Sequence, residues 1–298
     1  MEKPTRGPLR RFVRHWITMF HLTRRVLKPY EQFVIGVSHV AFLGLERVLN
    51  EAGTHVFKTF PRQVDPPAWR RVRATVVLAP GLGQSPFSCY PFAKFLSVVF
   101  GFRVLLLQTH EDGNTETLDR MVARNQWILH ETGNEPLVGI GFSKGLLDLV
   151  WLFAPIVYNN VGSNRPRHVS LVAMSAPIRG SRVAKEVRMP GAGFLAPGTS
   201  EIRKTVEMVR ALRMAGVPMK FYCAVWGDFI VRRSDTRPPN EEGYRPPTIV
   251  ERIRGIRRAV PWYWSTVLWF QIGHTAIYNP LAWLQVGLHV SHSLVPRL

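Results

Sequence analysis

The chain is poor in cysteine. Cys89 and Cys223 are the two in 298 residues, too few for a disulfide framework, and neither belongs to a CxxC pair of the metal-binding kind. A reduced compartment follows most simply, with a single disulfide left open. Acidic charge is also scarce. Twenty Asp and Glu against 39 Lys and Arg leave a net +19. Such a field concentrates anionic partners, whether phospholipid headgroups, nucleic acid or acidic polymers, and an arginine-rich soluble surface has the same balance. Long apolar runs are missing. Trp16 to Leu22 is broken by Thr18 and His21, and Thr23, Arg24 and Arg25 end it. Phe33 to Leu45 contains Ser38 and His39. Neither approaches the roughly 20 apolar residues of a membrane span, and no small-residue cleavage site turns the first into an export signal. HExxH and GxxxxGK[ST] motifs are absent, which removes two common metal and nucleotide chemistries. No nucleic-acid module is recognisable, so the basic charge is not read as specific nucleic-acid binding.

What is present is a composition for folding, with 46% hydrophobic and 11% aromatic residues. A chain of this length can build one large core and carry an appendage. The appendage is expected at residues 1–59. Leu9, Phe12, Val13, Trp16, Met19, Phe20 and Leu27 recur at mostly three- or four-residue steps, with Arg10, Arg11, Arg14 and Arg24 available to the polar side. Residues 1–73 hold 14 Lys/Arg and five Asp/Glu, or +9. Three readings of residues 1–29 stay open: a helix lying on an anionic membrane, an organelle transit peptide, and a helix docked on the protein's own core. A second helix is expected over 30–51, and residues 59–69, with three prolines, read as a linker. A cytoplasmic protein, peripheral at a membrane in the first reading, is expected.

From residue 60 the pattern changes. Strand-length apolar runs occur at 75–79, 103–108, 137–142, 169–175, 219–226 and 267–272. Helical stretches near 88–100, 115–132, 145–158 and 200–215 separate most of them. That alternation predicts an α/β protein with a mostly parallel central sheet and helices on both faces. One catalytic domain is expected over 60–298, with a short cap around 181–215.

The chemistry centres on Gly141-Phe142-Ser143-Lys144-Gly145, which lies between a predicted strand and a predicted helix. A serine on a sharp strand–turn–helix elbow exposes its hydroxyl as a nucleophile, and the flanking glycines remove β-carbons from a crowded turn. The following helix points its N-terminus at developing negative charge. A serine nucleophile needs a base and an acid that orients the base, and in an elbow fold they follow in the order acid, then histidine. Asp228 comes 85 residues after Ser143, past the run 219–226, and His274 comes 46 residues later, past the run 267–272. All three fall at strand C-terminal ends, where open α/β sheets bind ligands. Asp235 is the substitute acid. The loop Pro80-Gly81-Leu82-Gly83 follows the first core strand and supplies a candidate oxyanion donor, the Leu82 amide, opposite the Lys144 amide. Gly81 and Gly83 allow close backbone approach there. The Lys144 side chain reads as an exposed helix lysine. Asp112, Asp119 and Asp148 show no partner pattern, and His110, His130, His289 and His292 read as structural or surface residues.

Over about 75–285 the sequence resembles the lipase and esterase branch of the α/β hydrolases. The segments that carry the resemblance are APGLGQSPFSCYPFAKFL (79–96), GIGFSKG (139–145), SAPIRGSRVA (175–184), and the endings WGDFIV (226–231) and GHTAIYNP (273–280). SAPIRGS is similar to the proline–basic–Gly–Ser segment after the elbow's neighbouring strand in many lipases, and 196–200 to a PGS-type segment before a cap helix. The resemblance implies ester cleavage through an acyl-enzyme, on a lipid or other acyl substrate, with no cofactor and no metal. Pro80 stands where lipases commonly have His, and Lys144 follows the nucleophile where lysine is atypical. An acyltransferase on the same triad and a non-catalytic membrane-associated protein of this fold remain the alternatives.

Overall fold

A computed structural model describes residues 48, 62–110, 114–132, 135–160, 168–186, 191–223, 228, 230, 231, 235, 236, 266, 267 and 279–294. They belong to one compact unit, Glu46–Leu298. The expected helices over 1–29 and 30–51 and the boundary at 59 fall outside the described residues, apart from Val48.

Seven strands form one sheet among the described residues, in the order β1-β3-β2-β4-β5-β6-β7. They are β1 (Gln63–Val64), β2 (Thr75–Ala79), β3 (Arg103–Leu106), β4 (Leu137–Phe142), β5 (Val169–Met174), β6 (Met219–Cys223) and β7 (Thr266–Val267). Every pairing is parallel except β1 with β3. The pair Gln63–Val64 lies inside the stretch read as a linker. It is an edge strand of two residues, too short to show an alternating pattern against three neighbouring prolines.

Parallel strands covered on both faces are apolar throughout, and β2, β4 and β5 are buried at every position. Alternate residues serve alternate layers. Val76, Leu78, Val138, Ile140 and Val172 face α1 (Pro86–Phe100) and α6 (Pro280–His289), meeting Phe92, Leu96, Ala282 and Val286. Val77, Ala79, Leu137, Leu171 and Ala173 face the opposite layer. That layer holds α2 (Leu118–Asn125), α3 (Trp127–Glu131), α4 (Gly145–Asn160) and α5 (Ser200–Met214). Val209 and Leu212 of α5 join this core, and two short 3-10 turns, Val183–Lys185 and Gly193–Leu195, precede that helix. Cys89 and Cys223 are buried and not joined in a disulfide. Among the described residues no helix is long and apolar enough to cross a membrane.

The strand order has one functional consequence. From β2 the chain steps outward to β3 and then returns to the other side of β2 to form β4. The loops leaving β2 and β4 therefore diverge at a topological switch point, where open α/β sheets leave a crevice at their C-terminal edge.

Candidate active site

Ser143 sits in that crevice. It follows β4 directly and precedes α4, and its φ of 52° is one of two positive values among the described non-glycine residues. A serine in this region is strained, and surrounding contacts must hold it there. Its N–H donates to the Met174 carbonyl at the end of β5, 2.9 Å away. Glycine on either side is a packing requirement. A β-carbon at Gly141 would lie 2.3 Å from the Leu146 nitrogen, and one at Gly145 would lie 2.3 Å from the Ala79 oxygen. α4 therefore begins pressed against the end of β2, with its N-terminal dipole at the elbow.

The loop after β2 closes the other side. A β-carbon added to Gly81 would stand 3.2 Å from that of Ser143. The loop is a hydrogen-bonded turn: Gln84 N–H donates to Gly81 O at 3.1 Å, and Gly81 N–H donates to Gln84 Oε1 at 2.6 Å. Gly83 supplies the positive φ, 73°, that the turn needs. Among the described residues neither the Leu82 nor the Lys144 N–H has an acceptor. Two unspent amides on segments that meet at Ser143 can bind an oxyanion.

The Lys144 side chain is not the exposed helix lysine expected. It is fully buried, as is Asp148 one turn on. Lys144 Nζ donates to Asp148 Oδ1 at 2.6 Å and to Asn114 Oδ1 at 2.7 Å. Asn114 Nδ2 donates to Asp148 Oδ2 at 2.6 Å and to Pro80 O at 2.8 Å. Burial pushes the Lys144 ammonium below its ordinary pKa and the Asp148 carboxyl above its own, and each charge opposes the other's shift. Above the pair, the Phe194 ring lies 5.6 Å from Lys144 Nζ. Asp148 thus has a partner pattern after all, the i,i+4 pair with Lys144. The other member, Asn114, is remote in sequence, and no local signal marks it. A spare donor and acceptor beside a buried i,i+4 pair are invisible until the fold brings them together.

Asp228 lies beyond β6, the second strand along from β4, and its Oδ1 accepts from the Val231 N–H at 2.8 Å. Asp235 stands nearby in sequence, with its backbone carbonyl accepting from Arg179 N–H at 3.1 Å. The SAPIRGS segment ties the two ends of this region together. Ser181 Oγ donates to the Ile230 carbonyl, and Ser181 N–H donates to Leu195 O at 2.8 Å. Gly180, at φ 83°, abuts Pro197, where a β-carbon would be 2.7 Å from backbone. His274 and residues 224–227 lie outside the described residues. The structure therefore brings the Ser143 elbow to the Gly81–Gly83 loop and sets Asp228 past β6.

Leu82, Trp151 and Phe194 pack partly buried against Leu118, Leu147, Leu195 and Ile202.

The sheet order, the elbow after β4 and the loop after β2 are those of the α/β-hydrolase fold. No family model matches the chain, and no curated protein sequence matches it. Among solved structures, the chain is similar to a thioesterase domain from a curacin biosynthetic pathway, with 13% identity over 76% of this chain and 93% of that one, TM-score 0.48. It is similar to the mature form of a Bacillus licheniformis lipase, with 12% identity over 78% and 97%, TM-score 0.47. It is also similar to phospholipase PlaB from Legionella pneumophila, with 14% identity over 56% and 45%, TM-score 0.46. The chain spans less than half the length of that phospholipase. These similarities concern chain path.

Proposed function

We propose that the protein is a serine hydrolase that cleaves carboxylic esters of lipid or other lipophilic acyl substrates. The observation that carries this reading is the strained Ser143 at a strand–turn–helix elbow, facing two amides without acceptors among the described residues. In this reading His274 removes the Ser143 proton as the hydroxyl attacks the ester carbonyl. The Leu82 and Lys144 amides take the oxyanion, a contribution of about 3–4 kcal/mol per donor in comparable sites. Asp228 fixes the His274 tautomer and stabilises its cation. His274 then protonates the departing alcohol, and water cleaves the acyl-enzyme by the reverse sequence. The lipophilic acyl group in this reading follows from the partly buried Leu82 and Phe194 in the segments flanking Ser143 and Lys144.

Fluorophosphonate labelling tests the nucleophile. The protein should label, and Ser143→Ala should not. A panel of p-nitrophenyl esters of rising chain length then reads the acyl preference. Absence of labelling, or wild-type turnover by Ser143→Ala, would overturn the reading.

A further inference from the structure

The side chains of Asn114, Lys144 and Asp148 form a closed ring of hydrogen bonds. Lysine bonds to aspartate and asparagine at 2.6 and 2.7 Å, and asparagine bonds to aspartate at 2.6 Å. All three are buried, at 1%, 0% and 0% exposure. Asn114 also grips the loop after β2 at both ends. Its Nδ2 donates to Pro80 O and its N–H to Gln84 O, each at 2.8 Å. Inside those two anchors, Gly81 is consumed by Gln84 in both directions, and the Leu82 N–H is left over.

We infer that Asn114, Lys144 and Asp148 are positioning residues that set the separation of the two oxyanion donors. The inference rests on the reading of Leu82 and Lys144 as those donors. One donor is the backbone N–H of Lys144 itself. The other lies in the loop that Asn114 pins, and Asn114 is in turn held by the Lys144 side chain. A single residue thus supplies one donor through its main chain and fixes the other through its side chain. The arrangement explains a lysine after the nucleophile that never reaches solvent. It also explains the charge. A charge-assisted ring is stiffer than neutral hydrogen bonds, and an oxyanion site works through donors that need no reorganisation.

The test compares kcat and KM on a soluble short-chain p-nitrophenyl ester, the fluorophosphonate labelling rate and the denaturation midpoint. Asn114→Ala frees the loop while leaving the lysine–aspartate pair. Lys144→Met with Asp148→Leu removes both charges together, so that neither is stranded in the core. Glu135→Gln is the control, in the Arg103–Thr75–Glu135 network at the opposite edge of the sheet. In both site variants kcat should fall about 10- to 100-fold, since a displacement of about 1 Å costs that much, with KM little changed. Labelling should slow in step, because the phosphoryl oxygen occupies the same hole. The control should lose midpoint without losing kcat. Should Asn114→Ala fail to fold, Asn114→Ser reads the same split. Folded site variants with wild-type kcat would overturn the inference, as would a kcat loss equal to the control's. Ser143→Ala run alongside separates the two claims: if it stays active, the hydrolase reading fails, whereas a dead Ser143→Ala beside a fully active Asn114→Ala refutes only the positioning role.

Discussion

Gly145→Ala probes the junction between the elbow helix and the loop after β2 with one methyl group. The new β-carbon would lie 2.3 Å from Ala79 O, 2.6 Å from Ala79 C and 2.6 Å from Pro80 O. Ordinary contact begins near 3.4 Å, so the two segments must separate by about 1 Å. All three obstructing atoms are backbone and cannot rotate away. Overpacking of this kind costs about 1–3 kcal/mol, and a rigid obstruction puts it at the upper end. Alanine's better helix propensity offsets less than about 1 kcal/mol, because Gly145 opens the helix. A net loss of about 2–3 kcal/mol corresponds to a melting temperature lower by about 5–10 °C in a domain of this size. The catalytic effect should be larger. The same 1 Å shift moves the Lys144 amide away from the Leu82 amide, and misplacement on that scale lowers kcat about 100-fold. Thermal melts and p-nitrophenyl ester kinetics measure both quantities. Gly193→Ala is the companion, since a β-carbon there meets nothing within 4 Å, and it should be neutral in both assays. Wild-type stability and kcat in Gly145→Ala would refute the close approach and the crevice built on it.

Ser143→Ala and His274→Ala should each lower ester turnover by about a millionfold in a folded protein, as measured by kinetics beside circular dichroism. Asp228→Asn should lower kcat by about 10⁴, because the neutral amide admits the wrong His274 tautomer, while an unaffected Asp228→Asn beside an inactive Asp235→Asn would move the acid to Asp235. Deleting residues 1–29 should abolish sedimentation with anionic vesicles and spare soluble-ester hydrolysis, each basic residue contributing roughly 1 kcal/mol at the surface. Aggregation of the truncated protein would instead mean that the segment packs on the core. His289 is held down to about pKa 4 by burial and then by the Lys220 charge, with its ring set edge-on to Tyr222. The unfolded chain therefore binds a proton that the folded one refuses between about pH 6.5 and 4. Stability from this site is present above that window and is lost as pH falls through it. His289→Asn should flatten the denaturation midpoint against pH there, and an unchanged slope would contradict the partly buried placement.

Legibility in the sequence followed the range over which each signal acts. The runs at 75–79 and 137–142 match β2 and β4 because a buried parallel strand is apolar at every position, a pattern local to a few residues. The elbow was equally local, since strand, glycines, serine and helix occupy one short stretch. β1 was missed because two residues carry no period, and its place comes from pairing with Leu105 and Val104 some 40 positions away. α6 was missed for a different reason: its exposed face carries Leu281 and Leu288, so no polar face marks a helix. Lys144 is the instructive failure. Charge and helical position argue for solvent, and a lysine is rarely fully buried without partners. Asp148 four residues on was visible, but an i,i+4 pair is ordinarily a surface feature. What inverts the reading is Asn114, 30 residues upstream, which closes the ring and binds the loop after β2. The strand, glycines and turn that form the Ser143 elbow are written next to one another along the chain. The ring of Asn114, Lys144 and Asp148, with its bond to Pro80, is contributed by segments that meet only at the switch point between β2 and β4.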